Sequence, residues 1–302
     1  MRAATSLGEL AKRTHAAKAG YQACHYTAVA KRLPELLRGL DDAVSGFEDD
    51  DLSRVHALRA EAYHVAASLL LKCEERGLSY LAADRSMRAA EASESPAVVG
   101  ASARAFTRAL MHERHYKAAT ELATSTAERV DSATDKATPE SLSVYGSLLL
   151  SGAVSAAKRE NRGQALSLLD EASDAGERLG GDFNYQWTAF GPTNVLLHRV
   201  SAAVELGDAG SAIDYARQVR LDNIDVIERR VTLFIDAARA YQQWGKTDHA
   251  YHALRNAEEM ASEELTAPSG GAPVDQRHPY PGEWSPVRQR QRTSGKGRCL
   301  TQ

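Results

Sequence analysis

Asn194 and His198, one helical turn apart in the stretch WTAFGPTNVLLHRV (residues 187–200), are the side chains best placed to hold a ligand. Residues at i and i+4 of a helix share one face. An asparagine amide offers a donor and an acceptor together, which suits clamping an extended peptide backbone. Pro192 fits the first turn of a helix, where its missing N–H is not needed, and Gly191 allows a sharp entry into that turn. The helical phase is then set, with Val195, Leu196 and Val200 on the packing side. Tyr145 and Trp187 are expected close enough to help shape the site, with Phe190 as a further wall. The competing reading makes Trp187 and Phe190 loop-packing core and gives Asn194 a local cap or backbone bond.

Other motifs carry less. In HERH, His112 and His115 stand three apart, whereas a zinc-protease helix needs four; they read as a solvated turn. The acids Glu48 to Asp51 precede a long helix, where they favour the helix dipole. YGSLLLSG lies within a helical pattern and not on a strand-to-helix elbow. No phosphate loop or dinucleotide motif is present. Cys24, Cys73 and Cys299 are far apart and odd in number, without zinc or disulfide spacing. No catalytic residue, metal ligand or cofactor is assigned, and the chain is not read as an enzyme.

The elements that must position Asn194 and His198 are helices. Small and apolar residues recur at i, i+3, i+4 and i+7 up to Leu265, and Gly, Pro or Asp break the pattern at short intervals. Roughly ten to twelve helices are expected. The chain has 302 residues, 43% hydrophobic and 6% aromatic, and its many alanines favour close-packed helices. One element returns as Ala83/Met87/Ala90, Ala118/Leu122/Ser125, Ala165/Leu169/Ala172, Ala212/Ala216/Val219 and Ala250/Leu254/Ala257, spaced 35, 47, 47 and 38, with a degenerate copy at Val29/Leu33/Leu36. Gly207 and Gly245 each stand five residues before their alanine. The pattern resembles the second helix of the tetratricopeptide repeat, whose unit is about 34 residues. The expected fold is all-α, a tetratricopeptide-like helical-hairpin solenoid in a right-handed superhelix, over residues 1–266. In such a solenoid the first helices line the concave surface, which would place Asn194 and His198 in the groove. Residues 267–302, rich in Pro, Gly, Ser and Arg, are expected to be a disordered, dispensable basic tail.

Net charge is −3, with six Lys/Arg and two Asp/Glu from Ala267 onward, so the body carries −7. An acidic body argues against a nucleic-acid surface. The first residues have no apolar run of a signal peptide, no stretch approaches the roughly 20 apolar residues of a membrane span, and a cytoplasmic location is expected.

The segments SLGELAKRTHAAKAGYQACHYTAVAKRLPELL, LRAEAYHVAASLLLKCEERGLSYLAADRSMRAAEAS, SVYGSLLLSGAVSAAKRENRGQALSLLDEAS and WTAFGPTNVLLHRVSAAVELGDAGSAIDYARQV together resemble the C-terminal sensor region of actinobacterial Xre-class helix-turn-helix transcriptional regulators, over roughly residues 6–264. WTAFGPTNV is the most specific part. The resemblance implies a tetratricopeptide-like domain that senses a ligand and governs an attached DNA-binding domain. More distantly the chain is similar to Gram-positive peptide-pheromone receptors, in which a groove asparagine holds a peptide backbone, a role Asn194 matches. Those regulators carry their DNA-binding domain upstream, and no helix-turn-helix pattern stands in residues 1–20. The chain alone is therefore not expected to bind DNA specifically. The expected function is sensing of a peptide or small signal molecule in the concave groove; the alternative is a protein–protein interaction scaffold without a diffusible ligand. A homodimer is compatible with either.

Overall fold

The computed structural model describes residues 6–133 and 137–265. The expected tail, 267–302, lies outside the described residues. Among the described residues thirteen α-helices follow one another: α1 (Leu7–Gln22), α2 (Tyr26–Ala43), α3 (Asp49–Lys72), α4 (Arg76–Ala92), α5 (Pro96–His112), α6 (Tyr116–Ser132), α7 (Pro139–Lys158), α8 (Arg162–Leu179), α9 (Pro192–Glu205), α10 (Ala209–Gln218), α11 (Ile227–Gln243), α12 (Thr247–Met260) and the single turn α13 (Ser262–Leu265). Short 3-10 turns sit at Tyr185–Trp187 and Leu221–Asn223. Among the described residues, extended pairing is confined to one bridge, Phe183 to Phe190. The helices pack in consecutive order as six hairpins, α1–α2 to α11–α12, so the fold is the all-α helical-hairpin solenoid expected.

One turn builds all six hairpins. The residue just before each second helix's N-cap is left-handed: Cys24, Glu74, Arg114, Glu160, Gly207 and Gly245, with φ between 59° and 75°. The following N–H closes back onto the first helix, as in His25 N to Gly20 O at 2.9 Å, Glu75 N to Leu70 O at 2.9 Å and Asp208 N to Ala203 O at 2.8 Å. These bonds satisfy carbonyls that a helix end leaves free. The N-caps are His25, Glu75, His115, Asn161, Asp208 and Lys246.

Counting from these caps corrects the repeat. The fourth residue beyond each is buried: Val29, Ser79, Ala119, Ala165, Ala212 and Ala250. Where the second helix is long enough, buried or half-buried residues follow four and seven later: Leu33/Leu36, Ala83/Ser86, Ala123/Thr126, Leu169/Ala172 and Leu254/Ala257. The copy expected at Ala118/Leu122/Ser125 is one residue early, since Ala118 and Ser125 are exposed. The copy at Ala83/Met87/Ala90 is one turn late. The true unit spacings are 50, 40, 46, 47 and 38, read from cap to cap. The stripe is small because the paired helices approach closely there, close enough for side-chain hydroxyls to reach the neighbour's backbone: Ser79 Oγ donates to Ala67 O at 2.9 Å and Ser86 Oγ to Ala60 O at 2.8 Å.

The core runs as a chain of clusters between hairpins. The largest joins α5 to α9 around Val144, Leu148, Leu150, Leu169 and Phe190. The solenoid also returns on itself. α1 touches α11, the Tyr26 hydroxyl and Lys72 ammonium both engage the Glu264 carboxylate of α13, and Thr27 N donates to Glu263 Oε2 at 2.7 Å.

Candidate ligand site

The connection between α8 and α9, residues 180–191, is the least repeat-like part of the fold. Gly180 ends α8 in the left-handed region, with φ 80°. Asp182 then caps α9, accepting Thr193 N at 2.9 Å and Thr193 Oγ1 at 2.6 Å. Phe183 N donates to Phe190 O at 2.9 Å, closing the neck of the loop. Gly191 is required by space, because a Cβ there would lie 2.5 Å from Gly181 O. Phe190 is fully buried, its ring lying where a Cβ on Gly146 of α7 would be, 1.9 Å away. Between these anchors Gln186, Trp187 and Ala189 all adopt left-handed backbone, with φ 49°, 58° and 50°. Non-glycine residues held there carry strain that the surroundings must impose. The loop reaches across the solenoid: Trp187 O accepts Gln22 Nε2 of α1 at 3.3 Å and Arg104 Nη2 of α5 at 3.3 Å, and the indole packs edge-on against His15 at 4.8 Å.

A pocket of about 60 Å³ opens between this loop, α9 and the 223–226 connection. Leu197, Ile224 and Phe183 form apolar wall, and Asn194 and Arg229 supply polar groups. Apolar walls with a few placed polar groups are the lining that small-molecule sites share. Asn194 is 3% exposed, its Nδ2 has only a long contact of 3.5 Å to Thr188 O, and its buried Oδ1 has no partner.

Behind Asn194 the first helices of the hairpins supply a polar interior: Lys18 and Tyr21 from α1, His64 and Lys72 from α3, Arg104 and Arg108 from α5, His198 from α9, Glu228 and Arg229 from α11. Arg104 is 6% exposed, and its Nε is buried without a partner. Burial, with Arg229 and Arg108 beside it, pulls its guanidinium down to about 9. Burial also lowers the Lys18 ammonium to about 8, opposed by Glu61 and reinforced by Arg104. Burial alone would raise Glu228, yet Arg229, Lys72, Arg108 and Arg104 together hold it at about 2. His64 is driven well below its ordinary value by burial, Lys18 and Arg104. The buried Tyr21 hydroxyl lies against the Arg108 guanidinium and favours its charge.

His198 falls to about 3, from burial and Arg229 against the opposing bond to the Asn194 carbonyl. That bond fixes its tautomer. Asn194 O can only accept, so Nδ1 at 2.9 Å carries the proton and Nε2 is left as an acceptor.

Of the four residues singled out from sequence, Asn194 lines the pocket and His198 stands one turn further along α9, half-buried beside the interior charges. Trp187 covers that interior through its carbonyl and turns its ring toward α1. Tyr145 is half-buried on α7, and its hydroxyl engages Glu171 of α8; none of its described contacts is with the other three. His112 and His115 are exposed at their turn. The Cys24 thiol, beside the Tyr26 hydroxyl, is pushed up by burial to about 11. Sequence reading missed Lys18, Arg104, Arg108 and Arg229. Little in the sequence marks them: Lys18, Arg104 and Arg108 have small or apolar neighbours on first helices, but Arg229 stands between Glu228 and Arg230.

Among the described residues no helix is long and apolar enough to cross a membrane, and no cluster of three or more His, Cys, Asp or Glu could hold a metal. No protein-family model matches the chain, and no curated protein matches it. Among solved structures the chain is similar to BtubC (BKLC) from P. vanneervenii, at 12% identity and a TM-score of 0.41, with 89% of this chain and 96% of that chain covered.

Proposed function

We propose that this chain is a tetratricopeptide-like sensor domain, of the kind that serves a transcriptional regulator, and that it takes a peptide or small signal molecule into the pocket beside Asn194. The observation that carries this reading is the Asn194 amide, buried in the lining of the pocket with Oδ1 unpartnered. An orphaned buried acceptor costs about 1–3 kcal/mol, and a ligand N–H would relieve that cost. Closure of the solenoid on itself also supports a sensor over the scaffold reading. An open scaffold would leave a continuous channel, whereas here the 180–191 loop reaches α1 and α5, and α13 reaches α2 and α3. On this reading the chain performs no catalysis and contacts no DNA by itself.

The test is a thermal-shift screen of the full chain against a mixed library of short peptides and metabolites, neutral and charged. Binders are expected to raise the melting temperature of the wild type and to leave Asn194→Ala unmoved. Binders that act equally on both proteins would overturn the site, and a library without binders would overturn the sensor.

A further inference from the structure

The interior behind Asn194 is more basic than its packing needs. Lys18, Lys72, Arg104, Arg108 and Arg229 act on one another there, and the carboxylates that reach them are Glu61, Glu228 and Glu264. The carboxylates are unevenly shared. Lys72 has both Glu264 and Glu228, the latter at 3.7 Å, and Arg229 has Glu228 at 3.7 Å. Among the described residues, neither Lys18 nor Arg104 has a carboxylate within ion-pairing distance, though both are more than nine-tenths buried. Arg104 has only the Trp187 carbonyl at 3.3 Å, and its Nε faces nothing. A buried cation without a partner opposes folding. The rest of the molecule follows the opposite rule, since Glu205 is met by both Lys158 at 3.0 Å and Arg239 at 2.9 Å. The same interior already takes a carboxylate from its own chain, because Glu264 of α13 enters it at Lys72 and Tyr26.

Resting on the sensor reading above, we infer that the ligand carries an oxyanion, a carboxylate or a phosphate group, which Arg104 receives with support from Lys18 and Arg229. The guanidinium fork suits either group through two parallel N–H bonds. Binding would draw Arg104 from the Trp187 carbonyl, so occupancy of the interior is communicated to the strained 180–191 loop. The histidines held neutral by burial and then by the surrounding cations, His64 and His198, become easier to protonate once the anion arrives.

The experiment is thermal unfolding of the full chain in acetate, in inorganic phosphate and in chloride at one ionic strength, for wild type and Arg104→Met. Acetate or phosphate is expected to raise the wild-type melting temperature above chloride by about 2 °C or more. A response to acetate alone assigns a carboxylate, and a response to phosphate alone assigns a phosphate group. Arg104→Met is expected to melt no lower than wild type in chloride, because it removes an unpaired buried charge at similar volume, and to lose the anion response. A second reading is the His198 ring by NMR, whose titration should move to higher pH in the effective anion and only in wild type. Equal melting in all three salts, or an anion response retained by Arg104→Met, overturns the inference. So does a fall of several degrees for Arg104→Met in chloride, which would make Arg104 a structural residue. If neutral members of the library bind through Asn194 while the anions do nothing, the sensor reading stands and the oxyanion fails alone.

Discussion

Two side chains from the opening stretch of the sequence carry tests at the scale of the residue. His198 is held neutral, at about 3, by burial and Arg229, with Arg104 also opposing its charge and Glu228 favouring it. In the unfolded chain it titrates near its ordinary 6.5. The unfolded state therefore binds the extra proton between pH 6.5 and about 3, so stability present above 6.5 is lost as pH falls through that window. At pH 5 the loss from one such histidine is about 2 kcal/mol. Urea unfolding at pH 7 and pH 5 should show a smaller fall for His198→Gln than for wild type; equal falls would mean that His198 is not buried neutral. Asn194 is tested differently. Its amide makes one long hydrogen bond and leaves Oδ1 without a partner, so Asn194→Ala should change the unfolding free energy of the ligand-free protein by about 1 kcal/mol or less. A loss above about 2 kcal/mol would make the amide structural. The pairing of these two residues on one helix face was legible in the sequence, because Gly191 and Pro192 fix where α9 begins. The cations around them were not legible, because Lys18, Arg104 and Arg229 come from three helices spread over more than two hundred residues. Each looks like an ordinary charged residue until the solenoid closes.

The hairpin turn is the unit that organises the elements, and it explains what the repeat search found and missed. Glycine occupies the left-handed position in only two of the six turns, Gly207 and Gly245. Those two copies were placed correctly, and so were Val29/Leu33/Leu36 and Ala165/Leu169/Ala172, whose turns at Cys24 and Glu160 have no glycine. At Glu74 and Arg114 no glycine marks the turn, and the neighbouring copies slipped by a turn and by one residue. In the copy beginning at Tyr116 two adjacent alanines, Ala118 and Ala119, fit the pattern equally well, and only packing decides between them. Non-glycine residues in left-handed backbone cost about 1–2 kcal/mol, partly offset by the greater freedom glycine loses on folding. Glu160→Gly is therefore expected to stabilise by about 0.5 kcal/mol. Gly207→Ala, where a Cβ would meet nothing within 4 Å, is expected to destabilise by about 1 kcal/mol through backbone conformation alone. Denaturant midpoints of the two variants shifting the same way would contradict a shared turn. The contact of α7 with the 180–191 loop is the second element-scale test. Gly146→Ala drives a methyl into the Phe190 ring, an overpacking that should cost about 2–3 kcal/mol and displace the loop from the interior. A Gly146→Ala protein that unfolds like wild type would deny Phe190 its anchoring role.

Across the whole molecule, the succession of helical hairpins was readable from periodicity and turn residues, whereas the closure was not. Nothing in the local pattern of SEEL distinguishes α13 from a helix end, yet its Glu264 reaches Lys72 and Tyr26 at the other end of the solenoid. The Lys72 and Glu264 side chains are 19% and 5% exposed, so removing one partner strands a largely buried charge. Glu264→Ala is expected to cost about 3 kcal/mol, less whatever Glu228 recovers by staying near Lys72; a urea midpoint unchanged from wild type would show that the ends are not joined. Closure matters because it buries the unpaired amide and the unpaired cations on which the proposed ligand site rests. Hydrogen exchange of the full chain, with and without a binder from the thermal-shift screen, tests that claim most directly. Protection is expected in residues 182–194, in α5 around Arg104 and in the start of α11 around Arg229, with the second helices α4, α6 and α8 unchanged. Protection confined to those second helices, with the 182–194 segment and α5 exchanging as in the free protein, would contradict a ligand site in the interior.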